Sequence, residues 1–321
     1  MKPRERIMAA LKHMEPDRVP RFEIWIDAVW DALGRGDSPS AYVNLGQDCV
    51  MMPTLSPPGS NAWETGLDEW GRVWKDGMYV GGVLDTEADL ERYSHPASYV
   101  EAHFDGDRVR EIQTCYPEHC HIYGAHDIGP LTTSYMAMGF EQFFLRLVDD
   151  PAFAHRLLAN RTEWGIAMCH KAVSLGAEVL VIGDDAAYRD GPMISPQMWR
   201  EFVLPYHRRL VQSVEVPVIW HSDGNTERLL PFAVVAGFAG FHGLEPAAGM
   251  DLCRVTQEYG TDLVLIGNID IRVLFDSDLE AVRAEVDRCL EQGAPAGGYM
   301  LATCNSIFEG LNPLAVAEMF R

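Results

Sequence analysis

The segment Val216-Pro-Val-Ile-Trp-His-Ser-Asp-Gly-Asn225 passes from an apolar run straight into an imidazole, a hydroxyl, a carboxylate, a glycine and an amide. A buried parallel strand delivers chemistry to a rim in this way: its apolar residues are covered on both faces, and the first polar ones past its carboxyl end face the site. His221 and Asp223 are the leading candidates. Each has a quieter reading. His221 can order the turn at Gly224, and Asp223, like Ser222 and Asn225, can cap a helix over residues 227–236. Asp184-Asp185 follows Val179-Leu-Val-Ile182. Adjacent carboxylates resist joint ionisation, which can raise one pKa into a useful range; alternatively one of them caps a helix or pairs with Arg189 or Arg200. Cys304 follows the last apolar run. It can complete an N/S/O set with His221 and a carboxylate, a combination that suits zinc, or stand as a buried free thiol.

These residues need strands to carry them. Val179–Ile182, Val216–Trp220, Gly240–Leu244, Leu263–Ile266 and Tyr299–Ala302 are short apolar runs, with amphipathic helical patterns such as Leu279–Gly293 between them. Val19–Ile26 and His121–Gly124 add two strands, and Gln47–Met52 is expected to hide an eighth. The pattern predicts one α/β domain over residues 1–321, a (β/α)8 TIM barrel with an amino-terminal helix, Pro3–His13, and a twisted hairpin at Asp68–Lys75. A doubly wound open sheet is the alternative, but the Gly-rich phosphate fingerprint after a first strand is missing. In a barrel the residues after each run share one rim. That rim would collect Trp25, Asp27, His126, Asp127, Asp184, Asp185, His221, Asp223, Glu245, Asn268, Asp270, Cys304 and Asn305, with no lysine or arginine at those positions. Trp25, Tyr135, Met136 and Met138 would wall the pocket, and the Tyr135 hydroxyl could reach substrate.

A formal net charge of −21 on 321 residues argues against nucleic acid or an anionic membrane as partner. Residues 1–10 lack the apolar core of a secretory signal, and no run is long enough to span a bilayer. Seven scattered cysteines suit reduced thiols in cytoplasm. The local group Cys115, His119, Cys120 and His121 has ligand types, yet it sits at a strand's start, the stability end of a barrel, and reads as incidental.

The chain resembles the uroporphyrinogen decarboxylase superfamily, which includes cobalamin-linked methyltransferases. The likeness runs through Arg4–Leu11 with Asp17–Pro20, Gly129–Met136, Gly176–Leu180 with Asp184-Asp185, Ser195–Phe202 with Leu204-Pro-Tyr206, His221–Asn225, Gly267–Asp270, Ala302–Ser306 and Asn312-Pro313. The resemblance implies a (β/α)8 barrel and a homodimer. It departs from the true decarboxylase. That enzyme's arginine-bearing Arg-Gln-Ala-Gly-Arg segment is matched here by Trp25-Ile-Asp-Ala-Val29, and its essential aspartate falls near Leu55. A polycarboxylate substrate would meet an acidic pocket.

The methyltransferase branch fits better. Members that methylate coenzyme M hold zinc with His-x-Cys and a later Cys; here the pair reads His221-Ser-Asp223, and the later position falls near Ser306 or Cys304. Methyltransferases of methoxyaromatic metabolism are similar in using carboxylate and histidine ligands, for which Asp185, Glu201 and His221 offer a set. The resemblance therefore implies a methyltransferase moving a methyl group between a small, methoxylated substrate and a corrinoid. The corrinoid would belong to a partner protein, since no Asp-x-His-x-x-Gly segment is present. His221, Asp185 and Tyr135 would be catalytic. Trp25, Asp27, His126, Asp184, Glu245 and Asn305 would bind substrate, and His221, Asp223 and Cys304 would hold zinc. A metal-free decarboxylase of a small acid and a non-catalytic ligand-binding barrel are the alternatives.

Overall fold

Short runs rich in β-branched and other apolar residues become parallel strands where both faces can be covered. In this computed structural model, which describes residues 1–26, 38–54, 65–94, 97–125 and 128–321, the strands are β1 (Cys49–Met51), β2 (Gly66–Leu67), β3 (Arg72–Lys75), β4 (Met78–Gly82), β5 (Cys120–Ala125), β6 (Val179–Gly183), β7 (Ala187–Tyr188), β8 (Gly191–Pro192), β9 (Val218–His221), β10 (Gly240–Gly243), β11 (Val264–Ile269) and β12 (Tyr299–Thr303). Seven of them form one parallel sheet in the order β1-β5-β6-β9-β10-β11-β12. Strands β6, β9, β10, β11 and β12 are buried along their whole length.

Residues 20–26 close the sheet. They make parallel bridges to the far edge, Arg21 to Leu301 and Ile26 to Ile307, while Asp48 N donates to Arg21 O on the other side. The result is the expected α/β barrel, and the strand looked for in Gln47–Met52 is β1. The first segment differs from expectation in its bonding, because side chains replace part of its ladder. The Glu23 carboxyl group accepts from Thr303 N at 3.0 Å and Thr303 Oγ1 at 2.8 Å, and Gln47 Oε1 accepts from Glu23 N at 2.9 Å.

The expected hairpin is a three-stranded antiparallel sheet, β2-β3-β4. Asp68 organises it by accepting from Trp70 N, Arg72 Nε and Trp74 Nε1. The amino-terminal helix spans Pro3–Ala10, and its Arg6 reaches the buried Asp48, which Arg18 grips with both terminal nitrogens. The Cys115 to His121 group lies at the start of β5, where His121 Nε2 bonds Tyr116 O at 3.1 Å. Its side chains do not converge as a ligand set. Among the described residues no helix is long and apolar enough to cross a membrane.

Candidate metal centre on the barrel rim

Gly183 of β6, His221 of β9 and His242 of β10 are register partners, so the residues following β6 and β9 emerge side by side. Among the described residues one group of side chains converges as a metal set would: Asp185, His221 and Asp223, with ligand atoms all within 4.8 Å of one another. His221 Nε2 stands 3.8 Å from Asp223 Oδ1. His221 is buried, whereas Asp185 and Asp223 are partly open. Burial pushes the imidazole down to about 4, against the opposing pull of Asp185, so the ring is neutral at pH 7. A neutral imidazole and two carboxylates suit zinc or another borderline divalent cation.

The segments carrying these groups are tied together. Asp185 N donates to Thr132 Oγ1 at 2.8 Å, Asp223 N to Asp185 Oδ1 at 3.1 Å, and Asn305 Nδ2 to Asp223 Oδ2 at 2.9 Å. Glu245 accepts from Gly224 N at 3.0 Å. Gly224 adopts φ +80°, and a Cβ there would lie 2.7 Å from the carbonyl oxygens of Ala187 and Tyr188. Glycine is therefore required where this loop passes the β7–β8 hairpin. Trp25 presents its ring to His221 at 4.9 Å in an edge arrangement. Tyr135, on the Pro130–Met138 helix, packs against Phe140 and Phe144. Its hydroxyl is held protonated by burial first and by the Asp185 charge next.

Asp184 and Asp185 do not form a carboxylate pair. Asp184 is fully buried and turns toward the amino end of the Pro130–Met138 helix, accepting from Leu131 N at 3.2 Å, Thr132 N at 2.6 Å and His207 Nε2 at 2.7 Å. Negative charge is favourable at a helix amino terminus. The helix comes this close because residue 129 is glycine: a Cβ there would sit 2.3 Å from Gly183 O. Asp184 thus lies under the rim, with both carboxylate oxygens engaged by the helix amino end and His207. Cys304 differs from Asp185, His221 and Asp223 in its surroundings. It is 2% exposed, burial pushes its thiol up to about 12, and it stands outside the converging set. Glu201 is exposed on the Pro196–Phe202 helix and outside the set as well. Asn268 ties loops together, donating from Nδ2 to Leu244 O and Met250 O from a left-handed backbone, φ +73°. Asp27 and His126 lie outside the described residues.

Three residues escaped the sequence reading. His207 anchors Asp184. His242, inside the run Gly240–Leu244, bonds His221. Arg272 brings a cation beside these residues, clamped by Asp270 at 2.9 and 3.0 Å, whose hydrogen bond and charge, with a smaller contribution from Glu245, hold the guanidinium charged. The spacing Asp270-x-Arg272 was the available signal.

A closed α/β barrel with a histidine and two carboxylates at the carboxyl ends of its strands has the layout of a barrel enzyme. The family model described as uroporphyrinogen decarboxylase (URO-D) matches residues 75–321. The chain belongs to that family. A methylated-thiol–coenzyme M methyltransferase of Methanosarcina mazei is 29% identical over 170 residues, covering 53% of this chain and 45% of that protein. A uroporphyrinogen decarboxylase of Xanthomonas axonopodis pv. citri is 33% identical over 159 residues, covering 46% of this chain and 41% of that protein. The chain spans about half the length of these curated relatives. Among solved structures, a methyltransferase from Methanosarcina mazei superposes with a TM-score of 0.79 at 21% identity, covering 100% of this chain and 97% of that one. That likeness speaks for the fold.

Proposed function

We propose that the chain is a methyltransferase that moves a methyl group between a small methoxylated substrate and a corrinoid held by a separate protein. The observation that carries this reading is the convergence of Asp185, His221 and Asp223 at the rim; the similarity to a methyltransferase supports it. A zinc ion held by these three would act as a Lewis acid on the substrate atom that bears the methyl group. Two carboxylates and one imidazole form a harder donor set than thiolates, which favours an oxygen-bound methyl group over a thiol acceptor.

The chain's own groups divide the remaining work. His221, neutral and sealed, offers a ring nitrogen. Asp185 and Asp223 balance cationic charge, and Asn305 and the Glu245–Gly224 bond fix the loop that carries Asp223. Trp25 and Tyr135 supply apolar wall, and the Tyr135 hydroxyl, held neutral by burial and the Asp185 charge, can donate a hydrogen bond but not a proton. One domain over residues 1–321 and a homodimer in the cytoplasm complete the reading.

The test is elemental analysis and Zn2+ titration of the purified chain, followed by a spectroscopic assay of methyl transfer from a methoxylated aromatic to free cob(I)alamin. The expected result is about one zinc per chain, lost together with transfer in His221→Ala and Asp185→Ala. Unchanged metal content in those variants, or decarboxylation of a small acid that persists with chelator, would sink the proposal.

A further inference from the structure

His221 and His242 occupy paired register positions on β9 and β10 and are 2% and 0% exposed. Their Nδ1 atoms are 2.7 Å apart, and the ring planes are tilted by 40° with centroids 4.9 Å apart. Two ring nitrogens at that separation share one proton, so one ring donates and the other accepts. His221 keeps its second nitrogen, Nε2, on the carboxylate side, 3.8 Å from Asp223 Oδ1. That distance is long for an Nε2–H hydrogen bond and short enough for both atoms to converge on one cation. For Nε2 to offer a lone pair, the His221 proton must reside on Nδ1. His242 must then be the acceptor at its own Nδ1.

We infer that His242 is a positioning residue that selects the Nδ1-protonated form of His221 and so presents the His221 Nε2 lone pair to the space between Asp185 and Asp223. The inference rests on the metal reading of that site. A metal-bound histidine more often donates to a carboxylate or a backbone carbonyl. In this fully buried layer a third carboxylate would bring a further charge out of water, at a cost an imidazole acceptor avoids.

The test uses the full chain, with Zn2+ alone as the probe, comparing wild type with His242→Asn and His242→Leu. Asparagine sets an amide oxygen close to the Nδ1 position and keeps the acceptor; leucine removes it. Calorimetry should show Zn2+ affinity weakened about 10–100-fold in His242→Leu and close to wild type in His242→Asn. Two-bond 1H–15N spectra should show His221 protonated on Nδ1 in the wild type and His242→Asn, and no longer so in His242→Leu. If His242→Leu does not fold by circular dichroism, His242→Gln, whose amide stands one methylene too far out, takes its place with the same expectation. Equal zinc affinity in every folded variant, with His221 protonated on Nε2 in the metal-free wild type, overturns the inference while leaving the metal site intact. If the wild type takes up no zinc, the metal reading fails, and the spectra still decide: a proton on His221 Nδ1 supports His242 as its selector, and one on Nε2 ends the idea.

Discussion

Asp223 takes the place where a thiolate would make the rim softer, and its main chain, more than its side chain, fixes that place. Asp223 N bonds Asp185, and Gly224 N bonds Glu245, so replacing the side chain leaves the loop anchored. Asp223→Cys should therefore bind Zn2+ more tightly than the wild type, because thiolate is the better zinc ligand. Substitution with Co2+ would show an intense near-ultraviolet sulfur-to-metal band that the wild type lacks. Absence of that band in a folded, cobalt-loaded variant would place residue 223 outside the coordination shell. At this scale the sequence was informative where polar residues come within three positions of the end of an apolar run, as His221, Asp223 and Asp185 do. It was silent on which of two adjacent aspartates turns inward. That choice depends on a helix that docks from 52 residues upstream because residue 129 is glycine.

The seam between β12 and the 20–26 segment is held in part by the Glu23 carboxyl group, which bonds Thr303. Burial pushes Glu23 up to about 8 from its ordinary 4.5, with Thr303 pulling the other way. The folded chain thus keeps a proton that the unfolded chain gives up. The stability this group contributes is complete below about 4.5 and is lost as pH rises through about 8. Glu23→Gln keeps a neutral side chain that can still bond Thr303. Its melting temperature should match the wild type at pH 5 and exceed it at pH 9; parallel curves for the two proteins would count against a protonated Glu23. Gly224→Ala tests the other junction. A Cβ forced against two carbonyls in a left-handed backbone should cost about 1–3 kcal/mol in chemical denaturation, whereas a wild-type midpoint would mean that the β7–β8 hairpin yields. Element order was legible because apolar runs alternate with amphipathic ones. The bonding of the 20–26 segment was not, since Glu23 is a polar residue whose partners are Thr303, at the far end of the chain, and Gln47, just before β1.

Across the whole molecule the net charge of −21 works against compaction through self-repulsion. Added salt shortens the range of that repulsion, so the melting temperature should rise from low ionic strength to physiological salt; a fall would mean that surface pairs such as Arg146–Asp85 and Arg254–Glu227 outweigh the excess charge. The barrel itself came through from periodicity, and the convergence of three side chains from two adjacent strand ends followed from the barrel. His242 and Arg272 did not, because one is hidden inside an apolar run and the other lies beyond the residues taken as the rim. The main-chain anchoring of the 222–225 loop has one more consequence. A single codon change at position 223 can exchange the kind of atom offered to a cation while strand register, hairpin and wall stay in place. Reaction chemistry on this scaffold can therefore diverge at a single residue whose main-chain bonds stay in place.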